Sequence, residues 1–168
     1  IRHKFCKMTE SNETKKKIFY LTATFNRQSL THKSVFQITK QKGFNEFDSE
    51  IWVVEAGDSQ KTTDLLAPIS GENIKVINVP ASTFWTSAMS IGIDQIATVA
   101  KPKDIIICFN NDIMLPDEIV EDIIEKIIND NHLVISPLSV SPHNGRVIAT
   151  GVKVKNWYLG INETPFKE

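Results

Sequence analysis

Four times between Ile18 and Ile128 a short β-branched or aromatic run gives way to a polar loop and then to a helical pattern. Successive strands joined through helical crossovers lie parallel, so this alternation constrains the chain to an α/β sheet with helices packed on its faces. The first run, Ile18 to Phe25, breaks at Asn26-Arg27-Gln28-Ser29. Ser29 is a suitable N-cap, and the helix is predicted to run to Lys42, with Gly43 ending it. A second strand, Glu50 to Glu55, turns at Ala56-Gly57-Asp58-Ser59 into a short helix through Thr63 to Leu66. The third, Asn73 to Val79, precedes a helix over about Thr86 to Ala100. The fourth, Asp104 to Phe109, is almost entirely apolar, as a central strand covered on both faces would be.

After that strand, Pro116 is placed in the first turn of a helix whose apolar positions Ile119, Ile123, Ile124, Ile127 and Ile128 follow three-to-four spacing. The alternation then stops. Leu133 to Val140 and Arg146 to Val154 read as two strands joined through Pro142-His143-Asn144-Gly145, and Asn-Gly is a strong hairpin signal. The expected architecture is a doubly wound, mostly parallel sheet with an antiparallel hairpin after the fourth strand. Ligands of such sheets bind beyond the carboxyl ends of the strands, so the loops after Thr24, Glu55, Val79 and Phe109 are expected to line one site.

Length and charge narrow the partner. The 168 residues suit one domain. Residues 1–16 are lysine-rich without periodicity and read as a flexible arm before a single domain over 17–168. Lys plus Arg (19) nearly cancel Asp plus Glu (20), so nothing favours a nucleic acid. Cys6 and Cys108 are far apart, and Cys108 lies in an apolar run where a buried free thiol is expected. That usage fits a reducing, cytoplasmic compartment. No apolar stretch approaches the roughly 20 residues that span a bilayer, so no transmembrane segment is expected and any membrane association would be peripheral.

The chemistry concentrates at Asn110-Asn111-Asp112, where an apolar strand delivers a carboxylate to the sheet rim. A diphosphate leaving group calls for a divalent cation, and Mg2+ or Mn2+ takes a few hard oxygens together with phosphate oxygens. The triplet resembles the Asp-x-Asp-type signature of GT-A glycosyltransferases, in the Asn-Asn-Asp form of rhamnosyltransferase-like members of family 2. Three further segments arrive in that family's order. Thr22-Ala23-Thr24-Phe25-Asn26-Arg27 looks like its Thr-Tyr-Asn-Arg segment. Val53-Val54-Glu55-Ala56-Gly57-Asp58-Ser59-Gln60-Lys61-Thr62 looks like its Val-Asp-Asn-Gly-Ser-x-Asp-x-Thr segment. Phe84 to Ile93 looks like the segment that opens a helix ending in Asn-x-Gly-Ile. The likeness runs from Lys17 to about Val154.

The resemblance implies a GT-A fold of nucleotide-diphospho-sugar transferase type and a metal-dependent, inverting transfer. A sugar would pass from a nucleoside diphosphate sugar to a hydroxyl of a glycan or lipid-linked acceptor. It implies Asp112 as the metal ligand and Thr24, Phe25, Asn26, Arg27, Glu55, Gly57, Trp85, Asn110 and Asn111 as substrate-binding residues. Glu55, where the family has aspartate, would meet the base, and Arg27 the diphosphate. Ser90 stands where asparagine is familiar, and Asp112 is the only charge in the triplet. After the hairpin only Glu163 and Glu168 are acidic, which makes Glu163 the candidate general base and implies that part of the acceptor-binding region lies outside this sequence. Alternatives remain open: a catalytically inert sugar-nucleotide or glycan-binding module, and, from Asp112-Ile113-Met114-Leu115-Pro116, a receiver-like phosphoacceptor domain. A sugar-1-phosphate nucleotidyltransferase would carry a glycine-rich first loop, whereas the first loop here has no glycine.

Overall fold

The computed structural model describes residues 16–70, 73–129, 135, 137, 139–149, 153–156 and 161–163. The chain divides into two compact units, Ile1–Ile124 and Glu125–Glu168. The arm expected over residues 1–16 lies, apart from Lys16, outside the described residues.

In the first unit strand and helix alternate as β1 (Lys17–Thr24), α1 (Gln28–Lys40), β2 (Asp48–Glu55), α2 (Ser59–Ser70), β3 (Ile74–Asn78), α3 (Trp85–Ala97) and β4 (Ile105–Cys108), and α4 (Ile119–Asn129) follows. The four strands form one parallel sheet in the order β3-β2-β1-β4. The chain winds outward from β1 to β3 and then crosses to the other side of β1, so the winding direction switches between β1 and β4. At such a switch point neighbouring loops diverge and leave a crevice.

β1 is buried along almost its whole length. On one face Phe19, Leu21 and Ala23 join Trp52 and Val54 of β2 and Ala88, Met89 and Ile96 of α3 in one core cluster. α3 comes close because Gly92 carries no side chain: a Cβ there would stand 2.5 Å from Leu21 Cδ1. The alternate residues of β1 are equally buried, and the Tyr20 ring packs against Phe44 at 5.6 Å. The start of α4 is tied to the end of α1, since Gln41 Oε1 accepts from Val120 N at 3.5 Å and Lys42 Nζ pairs with Glu121 at 2.7 Å.

Several expectations need correction. β4 is an edge strand among the described residues, with Ile106 exposed and Cys108 an exposed free thiol, because the apolar run packs on one side of the sheet only. α1 stops at Lys40, before Gly43, because Gln41 is already extended at its C-cap. Ser29 lies inside this helix, and the capping position, Arg27, makes no side-chain cap bond. α2 continues past Leu66 to Ser70 and tolerates Pro68 in its last turn. Pro116 precedes α4 by a turn, accepting from Ile119 N at 3.2 Å. Of the predicted apolar positions of α4, Ile124 is buried, Ile119, Ile123 and Ile127 are half-buried and Ile128 is exposed, while Val120, which was not among them, is buried.

In the second unit β5 (Ser139–Val140) pairs antiparallel with β6 (Val147–Ala149), and β7 (Lys153–Asn156) with β8 (Ile161–Glu163), as two separate two-stranded sheets. Of the run Arg146 to Val154, Val147–Ala149 and the residues from Lys153 are strand while 150–152 lie outside the described residues, as does most of Leu133 to Leu138. Glu163, the candidate base, ends β8, its backbone in register with Lys153. Glu168 lies outside the described residues.

Candidate functional site

At the carboxyl end of the sheet a cleft of about 400 Å³ is lined by loops following all four strands. After β1 come Thr24, Phe25 and Arg27; after β2, Ala56; before and within α3, Thr83, Trp85 and Ala88; after β4, Asn110, Asn111 and Asp112. The small side chains Ala23, Ala56 and Ala88 form its floor side, leaving room between the sheet ends and α3. Phe25 and Trp85 are each 54% exposed, so neither belongs to the core. Phe84, 84% exposed, precedes Trp85 at the helix start.

Charge is sparse in the cleft. Arg27 and Asp112 are the charged residues of its lining, and Arg27 Nη1 stands 3.5 Å from Asp112 Oδ2. Both side chains are more than half exposed and free to take other partners.

Asn111, by contrast, is buried. Its amide nitrogen donates to Thr24 Oγ1 at 3.0 Å and to Thr31 Oγ1 at 3.1 Å. The two hydroxyls are 3.0 Å apart, and Thr31 also bonds the Arg27 carbonyl at 3.0 Å.

Glu55 lies behind the lining. Its side chain is fully buried, with Oε1 accepting from Asn26 N at 3.0 Å and Gly57 N at 2.7 Å, and Oε2 from Thr62 Oγ1 at 2.8 Å. One carboxylate thus fastens the first loop, the second loop and α2 to the end of β2. Asn26 holds a positive φ of 52° and accepts from Asp58 N at 3.0 Å, while Asp58 caps α2 by accepting from Lys61 N at 3.0 Å. A Cβ on Gly57 would run into the Asn26 amide, so glycine is what lets these two loops touch.

Of the residues singled out from sequence, Thr24, Phe25, Arg27, Trp85, Asn110, Asn111 and Asp112 line the cleft, and Asn26, Glu55 and Gly57 support it from behind. Thr31, Thr62 and Thr83 received no role from sequence. Buried Thr31 and Thr62 each fall seven residues after a site residue, Thr24 and Glu55, but a threonine inside a helix carries no signal of its own.

The donor set bears on the metal. No cluster of three or more His, Cys, Asp and Glu residues suited to a metal occurs among the described residues. One exposed carboxylate beside two asparagines suits a Mg2+ or Mn2+ ion that draws its remaining ligands from phosphate oxygens and water, not one caged by protein. Among the described residues no helix is long and apolar enough to cross a membrane.

No curated protein matches this chain. The family model for glycosyl transferase family 2 matches residues 21–161, which takes in every loop of the cleft. With a parallel α/β sheet of GT-A type and that match over most of its length, the chain belongs to glycosyl transferase family 2.

Proposed function

We propose that the cleft holds a nucleoside diphosphate sugar and that the sugar passes, with inversion, to a hydroxyl of a glycan or lipid-linked acceptor. The observation that carries this reading is the convergence of all four strand-end loops on one cleft in which Arg27 and Asp112 stand together. Thr24 and Phe25 border the nucleoside with Asn26 bracing their loop from behind, and the exposed faces of Phe25 and Trp85 offer stacking surfaces for a base or a sugar ring. Arg27 contributes charge-assisted hydrogen bonds to the diphosphate. Asp112, with Asn110 beside it, would hold Mn2+ or Mg2+ there. Such a cation neutralises the charge that builds on the leaving diphosphate.

In the reaction the acceptor oxygen bonds to the anomeric carbon from the face opposite the diphosphate. The bond from that carbon to the diphosphate oxygen breaks, its electron pair leaves with the nucleoside diphosphate, and the hydroxyl proton passes to a base. Arg27, once it has exchanged Asp112 for the diphosphate, stabilises the departing charge.

Calorimetry with UDP-, dTDP- and GDP-sugars, with and without manganese, tests the donor assignment, and transfer of a labelled sugar to a panel of acceptors tests the reaction. Affinity for one class, strengthened by manganese, is expected. Absence of binding by every nucleotide sugar would remove the cleft as a donor site.

A further inference from the structure

The ladder between β1 and β4 runs out before the triplet begins. Its register ends at Leu21 and Cys108, and the last backbone bond of this edge is Phe109 N to Leu21 O at 2.9 Å. Beyond it the two chains part toward Thr24 and Asp112. Asn111 bridges that gap through the side-chain bonds that join β1, α1 and the loop after β4. All three partners are buried: Thr31 is fully enclosed, and Thr24 and Asn111 are each 6% exposed. The Asn111 amide nitrogen and the Thr24 and Thr31 hydroxyls thus form a triangle with sides of 3.0 to 3.1 Å, which the Thr31 hydroxyl extends to the Arg27 carbonyl. The same network holds the Arg27 carbonyl, so the backbones under Arg27 and Asp112 are fixed by one node.

We propose that Asn111 is a positioning residue: its amide, locked between Thr24 and Thr31, sets where Asp112 and Arg27 stand, and the middle place of the triplet requires an amide, not an acid. This rests on the reading of Asp112 as the group that meets the metal and diphosphate. A carboxylate at 111 brings no hydrogen, so the hydroxyls would have to turn and donate to it, and Thr31 would then withdraw its hydrogen from the Arg27 carbonyl. It therefore breaks the node although it adds a charge that a metal would otherwise welcome. Asn110, exposed and outside the node, carries no such requirement.

The test compares the gain in UDP affinity produced by manganese across variants. Thr31→Val keeps the shape and removes the hydroxyl from a residue outside the cleft lining. It is expected to cut the gain at least tenfold while metal-free affinity for uridine stays within about threefold, and Thr31→Ser is expected to keep the parental gain. Asn111→Asp is expected to lower the gain and Asn110→Asp to raise it. A parental gain in Thr31→Val, or a larger one in Asn111→Asp, overturns the proposal. Amide exchange by NMR keeps it separable from the donor reading: the Asn111 side-chain hydrogens should exchange slowly in the parent and at least tenfold faster in Thr31→Val. If Asp112→Asn retains the manganese gain, or the parent shows none, the reading of Asp112 fails while slow exchange upholds the node. Fast exchange in the parent overturns the node itself.

Discussion

Arg27 and Asp112 pair across 3.5 Å with both side chains more than half in water, an arrangement worth under about 1 kcal/mol and readily exchanged for stronger partners. A diphosphate offers Arg27 such a partner, and a cation offers one to Asp112. Arg27→Ala removes the cation from the cleft lining. The expected result is a loss of about tenfold in metal-free affinity for nucleoside diphosphate, the scale of one hydrogen bond to a charged group, with affinity for the bare nucleoside unchanged. The increment that manganese adds should grow, because Asp112 no longer shares its charge. Calorimetry on both ligands decides it, and an equal loss for nucleoside and diphosphate would place Arg27 elsewhere.

Asp112→Asn keeps the size of the side chain and removes its charge. Since the residue is exposed and its bond to Arg27 is long, melting should shift little. Manganese-dependent nucleotide binding should disappear. Equal manganese dependence in variant and parent would take Asp112 out of the site.

The strands and the order of the loops were legible because apolar runs, polar breaks and helical periods signal them directly, from Ile18–Leu21 through Ile105–Cys108. What sequence could not carry was the neighbourhood of each strand. Ile105 to Phe109 looks like a central strand, and only the topology makes β4 an edge among the described residues, with Cys108 exposed. The site shows the same division. The residue types at the strand ends pointed to Thr24, Arg27 and Asp112, while the contacts that tie Glu55 to the Asn26 backbone and Asn111 to the node reach across 29 and 80 to 87 positions.

Glu55 gives the third prediction. Removing its carboxylate in Glu55→Ala strips buried partners from Asn26 N, Gly57 N and Thr62 Oγ1 and should cost about 3 kcal/mol of stability. Glu55→Gln can still accept the two backbone hydrogens with its oxygen and donate its amide to the Thr62 hydroxyl, so about 1 kcal/mol is expected. Nucleoside affinity should fall in the same order as stability, as it would if the carboxylate braces the loops. Denaturant unfolding beside uridine binding checks this: full stability with abolished binding in Glu55→Ala would make the carboxylate a direct contact instead.

At the opposite end of the sheet Glu50 accepts from Lys17 Nζ at 2.7 Å and from the Trp52 indole at 2.9 Å, with Lys75 at 3.4 Å. Burial acts to raise the Glu50 carboxyl, but the bonds from Lys17 and Trp52 and the two lysine charges outweigh it and hold the group below the ordinary 4.5. A lowered folded value means that the stabilisation is present above about pH 4.5 and is lost as pH falls through the folded value. Glu50→Gln should therefore cost about 1 kcal/mol near neutrality, after allowance for solvent at the half-open lysines. The gap to the parent should close in acid. A gap that widens below pH 4.5 would contradict the sign.

Trp85 opens α3 with its side chain half in water and on the cleft wall, a costly place for an indole unless a ligand covers it. The core beneath α3 is made by Ala88, Met89 and Ile96, so the helix does not need Trp85 to dock. Trp85→Ala should therefore leave the melting temperature within a few degrees of the parent. Binding should respond differently: loss of a stacking face of this kind costs about 1 to 3 kcal/mol, and Trp85→Phe should recover most of it. Fluorescence in a Trp157→Phe background supplies a second reading, because the remaining tryptophan, Trp52, is buried in the sheet and shielded from the cleft. Nucleotide-induced quenching in the parent should shrink sharply in Trp85→Phe even though affinity is retained. Undiminished quenching in that variant, or a Trp85→Ala protein that melts much earlier yet binds nucleotide normally, would assign the indole to packing and leave Phe25 as the aromatic face of the cleft.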